Sequence, residues 1–178
     1  MALLETFVRL VDALNEWIGR AVAWLTLGCV LVCFSVVVLR YVFAQGYVWL
    51  QEAYVWQHAV VFMLGAGYTF RHHGHVKVDI VYGRLSPRAQ AWIDILGTLV
   101  FLLPWLFVLG WTSSSFIRSS WAIREASSQA GGLEGLYLLK SIIWAFAVLV
   151  GLQGLALIGR SVLFLSGRDE FAPAAAGH

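Results

Sequence analysis

The chain has 178 residues, of which 60% are hydrophobic and only 12% are charged, and its net charge is +2. A soluble domain usually carries about 25% charged residues, so this composition excludes an ordinary water-soluble fold and favours an integral membrane protein. No basic cluster points to nucleic acid as a partner.

The first twenty residues show an amphipathic helical pattern. Apolar side chains recur at helical spacing, and the opposite face carries charges that include the i,i+4 pairs Glu5–Arg9 and Glu16–Arg20. This pattern predicts a helix that lies at the membrane surface or leads into the first membrane span.

Four apolar runs follow, each long enough to cross a bilayer as a helix, which takes about 20 residues. Their predicted bounds are 21–39, 53–70, 95–117 and 141–159. Backbone groups in lipid must hydrogen-bond internally, so helices are expected. The sequence therefore predicts an all-α integral membrane protein with four transmembrane helices preceded by an N-terminal amphipathic interfacial helix. A single membrane domain is expected over 1–170, followed by a disordered tail over 171–178.

Residues that flank the spans predict processing and orientation. The first run is expected to be retained, because Arg40 and Tyr41 follow it where a signal peptide would have a cleavage site with small residues. With the N-terminus inside, eight Lys and Arg residues fall on the cytoplasmic side and four outside. This bias predicts that both termini are cytoplasmic.

Cysteine and histidine in the spans offer few ligands. Cys29 and Cys33 are expected to be small packing residues, since a metal site needs more than two ligands. His58 is the single intramembrane histidine, whereas a b-type haem usually needs two. We expect His58 to lie in a seam between helices, on a face of its helix that it shares with Tyr54 and Gly65. The alternative is that His58 binds a haem or a metal. No cofactor is therefore expected.

The densest polar cluster is the segment RHHGHVKVD at 71–79. Its three histidines raise the possibility of a metal site, but Gly74 interrupts them and no cysteine joins them. A solvated, positively charged cytoplasmic turn that contacts phospholipid headgroups or a partner is favoured, and no metal is expected.

Transport by this chain alone is disfavoured. Spans one and three have no acidic or basic side chain, and Pro104 in span three has no matching helix break in another span. A charge at the bilayer centre costs at least about 2.5–3.5 kcal/mol, and these spans offer little to offset it. Assembly of a pathway from several copies stays open. Catalytic motifs are missing, so an enzyme is not expected.

Glu52 opens the second span and has two interpretations. An acid near the membrane is a candidate ion or proton site, or a salt bridge to a partner subunit. The alternative is an interfacial carboxylate that reaches water.

Six short segments, taken in order and with their spacing, resemble one family. They are LRYVF (39–43), WLQE (49–52), LGAGY (64–68), HVKVD (75–79), LLKSII (138–143) and LQGLA (152–156). The fourth is similar to the His-(Ile/Val)-(Arg/Lys)-(Val/Ile)-Asp signature of the small, DctQ-type membrane subunit of tripartite ATP-independent periplasmic (TRAP) transporters. Relatives often have Pro where this chain has Trp144, and Gly where it has Arg124.

The resemblance implies a role and partners. In this family a large subunit of roughly twelve helices binds substrate and sodium, and a soluble periplasmic protein delivers the substrate, typically an organic anion. The small subunit braces the large one in the bacterial inner membrane. No substrate-binding residue is then expected in this chain. Two other functions stay open: a membrane anchor of an oxidoreductase and a homo-oligomeric small transporter.

Five residues are candidate contacts with a partner subunit or with phospholipids. We hypothesise that Arg40 and Glu52 organise the outer turn between spans one and two. His75, Lys77 and Asp79 are expected to order the cytoplasmic turn and hold it on the large subunit or on lipid headgroups.

Overall fold

The computed structural model describes residues 1–72, 74–75 and 82–172. All regular elements among them are helical, as predicted. The longer helices are α1 (Ala2–Tyr41), α2 (Val48–Arg71), α3 (Pro87–Gly97), α4 (Leu103–Ala122) and α5 (Leu136–Leu165). A π-helical turn (Thr98–Leu102) joins α3 to α4, and a short 3₁₀ turn (Asp169–Phe171) follows α5.

Helix α5 lies at the centre of the bundle, because it contacts α1, α2, α3 and α4. Helices α1 and α2 form an antiparallel pair on one side of it, and the α3–α4 rod packs on the other. We call the end that holds the start of α1 and the end of α5 the terminal end. The opposite end, with the α1–α2 turn and the α4–α5 loop, is the loop end.

Three helical stretches in the described part of the chain are long and apolar enough to cross a membrane: α1, the α3–α4 rod and α5. Helix α2 has 24 residues and is about 36 Å long, enough to span hydrocarbon. It is less apolar than the other three, because Glu52, Gln57 and His58 interrupt its hydrophobic run. The structure thus shows a multi-pass helical membrane protein, and the fourth span stays a prediction.

The predicted amphipathic helix is not a separate element. It continues without a break into the first span, so that α1 is a single helix of 40 residues. Part of its apolar stripe packs against protein, since Val8 and Val11 are buried with Ala156 of α5. Its placement in the membrane interface stays a prediction.

The α3–α4 rod has a definite start and one irregular turn. The Ser86 hydroxyl accepts a hydrogen bond from the Ala89 N–H, and Pro87 occupies the first turn, where its missing N–H costs nothing. Pro104 cannot donate to the carbonyl of Val100, four residues earlier, and Val100 lies inside the π-helical turn. A wider turn is one way in which a helix accommodates such a gap, so the rod continues past Pro104.

Candidate functional site

An ion-paired network joins α1, α2 and α5 at the terminal end. The Arg160 guanidinium on α5 donates to both carboxylate oxygens of Asp12 on α1. From α2, Arg71 donates to the Asp12 backbone carbonyl at 3.0 Å and to Glu16 Oε2 at 2.5 Å. These four side chains are largely shielded from solvent, which strengthens charge-assisted hydrogen bonds. The pairs fix the relative positions of three helices.

Two amide side chains extend this network into the interior. Gln153 Nε2 donates to Asp12 Oδ1 at 3.1 Å, and Asn15 Nδ2 donates to Gln153 Oε1 at 2.7 Å. Asn15 is 0% and Gln153 2% exposed. Helices α1 and α2 approach closely beside Asn15 because Gly67 of α2 has no side chain. A Cβ at Gly67 would overlap Asn15 Oδ1. We call Asp12, Asn15, Glu16, Arg71, Gln153 and Arg160 the terminal network.

A polar hollow of about 420 Å³ opens beside the terminal network. On its other side the Tyr82 hydroxyl donates to Asp94 Oδ2 at 2.9 Å. Burial and the adjacent Asp94 carboxylate raise the pKa of Tyr82 well above its usual range, so Tyr82 stays a neutral donor. The buried Gln90 amide donates to the Tyr82 carbonyl at 3.0 Å, which anchors the chain before α3.

At the loop end, Glu52 holds the loop between α4 and α5. Its carboxylate accepts hydrogen bonds from the Ser127 hydroxyl and, at 2.7 Å, from the Leu133 backbone N–H. The Ser127 N–H in turn donates to the Leu133 carbonyl at 3.0 Å. The Glu52 carboxylate therefore binds the α4–α5 loop at two positions, Ser127 and Leu133. We call Glu52, Ser127 and Leu133 the loop clamp.

A second contact ties the same loop to α4 and α5. The Lys140 ammonium donates to Glu125 and lies 4.0 Å from the Phe116 ring centroid. The hydrogen bond from Lys140 lowers the pKa of Glu125, so this pair is charged at neutral pH. Trp121 Nε1 also donates to Ser141 Oγ at 2.8 Å.

The structure separates the two residues predicted to organise the outer turn. Glu52 bonds to the distant loop, whereas Arg40 is exposed and forms no ion pair with any described residue. The two side chains do not bond to each other among the described residues, and their joint role in the outer turn stays a prediction. The difference arises because the loop that approaches Glu52 is more than seventy residues away in sequence, and local spacing does not reveal it.

Residues of the histidine-rich segment have different surroundings. Arg71 and His72 reach back to α1, where His72 Nε2 lies 2.8 Å from Glu16 Oε2, so Arg71 is not the solvated charge predicted for it. His75 is exposed, with its ring 5.9 Å from that of Phe70. The predicted contacts Lys77 and Asp79 lie outside the described residues. No group of metal-ligating side chains occurs among the residues that the structure covers.

The sequence predicts a seam between helices for one histidine. His58 is exposed on α2 and lies in no seam between the described helices of this chain. Gln57, one residue earlier and therefore about 100° around the helix, turns toward α1, with its side-chain oxygen beside Gly28. The face of α2 that meets α1 is set by how the two helices cross, which the sequence pattern did not resolve.

Sequence reasoning missed the terminal network. Asp12 belongs to the charged face of the predicted amphipathic helix and Arg160 to the positive charges that flank the spans, and the two are 148 residues apart. One signal was available: Gln153 is the single strongly polar side chain in an otherwise apolar run, and such residues often face a neighbouring helix.

Comparison with known protein families gives one match. The model of the family described as "Tripartite ATP-independent periplasmic transporters, DctQ component" matches residues 29–165. No curated protein and no solved structure matches the chain. The matched range contains Glu52, Gln153 and Arg160, and it begins after Asp12.

Proposed function

We propose a role for this chain from the premise that it belongs to the DctQ component family of the tripartite ATP-independent periplasmic transporters. In this role it braces the large membrane subunit while that subunit takes up an organic anion with a sodium gradient. The chain is the small component of such a transporter, so its function belongs to transport. The bracing role and the sodium-coupled uptake are our proposal.

One observation carries the bracing role: a continuous series of hydrogen bonds joins polar side chains of α1 and α5. Asn15 donates to Gln153, Gln153 donates to Asp12, and Arg160 donates to Asp12, which holds α1 to α5. A groove of about 540 Å³ between α1, α2 and α5 is lined by apolar side chains, including Trp17 and Trp144. A travelling anion needs free polar groups along its path. These features favour a rigid support over a conduit.

For the topology we propose four spans in the bacterial inner membrane, with both termini cytoplasmic. Helix α2 is the fourth span, because it packs along α1 and α5, which are both apolar enough to cross. The excess of Lys and Arg near the terminal end supports a cytoplasmic position for that end. The loop clamp then faces the periplasm.

Three partners follow from this arrangement. The large membrane subunit contacts the bundle within the bilayer, and the periplasmic substrate-binding protein approaches the loop end. Phospholipid headgroups meet the terminal end. Exposed Arg40 and His75 are proposed as contacts with a subunit or lipid, as are Lys77 and Asp79.

Reconstitution in liposomes tests the proposal. Sodium-driven uptake should require this chain, the large subunit and the substrate-binding protein together. The chain alone should carry no flux, and the large subunit alone should carry much less than the pair. Flux through the chain alone would contradict the bracing role and favour the homo-oligomeric transporter.

A single substitution tests the cytoplasmic turn. Asp79→Ala should reduce recovery of the large subunit, or uptake, without changing which anion is transported. A changed substrate range with normal assembly would contradict a role in assembly and place Asp79 near the substrate.

A further inference from the structure

The single acidic or basic side chain within the four predicted spans is His58. Ten residues of α2 precede it and thirteen follow, which places it about 15 Å and 20 Å from the helix ends. If α2 crosses the bilayer, the imidazole lies at mid-depth, far from headgroups and water. An ionisable side chain at this depth is costly and usually has a partner.

The described helices do not supply that partner. His58 is exposed, and it makes no hydrogen bond or ion pair with a residue in the described part of the chain. Val55 and Phe62 lie beside it at i−3 and i+4, and they are 52% and 69% exposed. Together the three form a strip along α2 that faces away from α1 and α5. We call it the His58 strip.

The strip has the chemistry of an interface between helices. A neutral imidazole has one N–H donor and one nitrogen acceptor, and hydrocarbon satisfies neither. Lipid tails can cover Val55 and Phe62, but they cannot bond to His58. A second transmembrane helix can do both, because it brings apolar side chains and a polar group at matching depth.

We infer that the His58 strip is the surface on which a transmembrane helix of the large subunit docks, with a hydrogen-bonding side chain or a free backbone carbonyl opposite His58. This inference rests on the proposed function, in which α2 crosses the bilayer beside a large subunit. It adds the face of α2 that makes the contact and the polar group that recognises the partner.

Site-specific photo-crosslinking tests the surface in the intact complex. The photoreactive amino acid p-benzoylphenylalanine replaces Phe62, and in matched controls it replaces Phe34 on α1 or Phe107 on α4. These two controls are 66% and 69% exposed, close to Phe62. The chain is co-expressed with the large subunit of its own transporter and irradiated in the membrane. Crosslinks to the large subunit should form from position 62 in clear excess over positions 34 and 107.

Substitution of His58 tests the polar contact. His58→Leu keeps the strip apolar and removes the imidazole, and it should weaken recovery of the large subunit about three- to fifteen-fold, the range of hydrogen bonds between membrane helices. His58→Asn keeps a donor and an acceptor and should retain more of the complex. Unchanged melting of the isolated His58→Leu chain would show that the loss concerns binding and not folding.

Three results would overturn the inference. The first is a large subunit captured from position 34 or 107 but not from position 62. The second is crosslinking from position 62 to a second copy of this chain alone. The third is normal recovery with His58→Leu. In each case the wild-type complex still forms, so the proposed function survives; only failure of the wild-type chain to bind the large subunit counts against that function.

Discussion

The two ends of the bundle are held together in different ways. At the terminal end, the terminal network links three helices through side chains that are charged or fully buried. At the loop end, the loop clamp joins one helix to a loop through a hydroxyl and a backbone N–H. The first arrangement fixes helices against one another, whereas the second fixes the path of a connection.

This difference has a consequence for a bracing subunit. Breaking a shielded ion pair leaves charges without partners, which costs far more than exposing a loop to water. Substitutions at the terminal end should therefore disturb the whole bundle, and those at the loop end should stay local. Four changes at the two ends of the bundle test this contrast.

Asp12→Ala should have the largest effect, because it leaves Arg160 without its carboxylate and Gln153 without an acceptor. We expect a loss of about 2–3 kcal/mol, since the pair is shielded but not fully buried. That corresponds to a melting temperature lower by roughly 4–12 °C in nanodiscs. Asp169→Ala, at an exposed acid beyond α5, is the matched control. Equal melting of the two variants would show that the terminal network adds no stability.

Gly67→Ala should come next. The added methyl group would overlap the amide oxygen of Asn15, which Gln153 holds in place. Overpacking of this kind costs about 1–3 kcal/mol. Gly97→Ala is the control, because a Cβ at Gly97 meets open space and a helical alanine gains up to about 1 kcal/mol over glycine. Thermal melts of both variants should move in opposite directions, and a stabilised Gly67→Ala chain would rule out the close approach.

Glu52→Ala should release the α4–α5 loop with little change in the bundle. The loop would lose the two hydrogen bonds from Ser127 and Leu133, with a cost of about 1 kcal/mol because the site is partly exposed. Limited proteolysis in nanodiscs should cut the loop faster than in Glu134→Ala, a control at an exposed acid of the same loop. A melting temperature lowered as much as in Asp12→Ala would contradict the contrast between the two ends.

The smallest effect concerns pH at the loop end. Because Lys140 lowers the pKa of Glu125, this pair stabilises the folded loop above pH 4.5, the ordinary value for the carboxyl. The contribution is lost as pH falls through the lowered pKa. A ¹³C NMR titration should give Glu125 a midpoint below 4.5, and Lys140→Gln should raise it. A midpoint that does not respond to Lys140→Gln would exclude the lysine as the cause.

The candidate site was only partly predictable. Glu52 was identified from its place at the start of a span, but its contacts with Ser127 and Leu133 were not predicted, because they come from a loop that approaches only in the folded bundle. His58 was identified as the notable polar residue of its span, but within this chain Gln57 and not His58 turns toward α1. Neighbouring positions on a helix differ by 100°, and the sequence pattern did not show which of the two faces α1.

The helical membrane class and, through short motifs in order, the family could be predicted from the amino-acid sequence. Both follow from local properties, since an apolar run in lipid has to form a helix whatever surrounds it. The folded structure was needed to show that Asp12 contacts Arg160, that Asn15 contacts Gln153, and that α1 is one helix instead of two. Such contacts depend on how helices cross and rotate, and apolar surfaces permit many crossings. The few polar side chains select one of them, because each must find its partner.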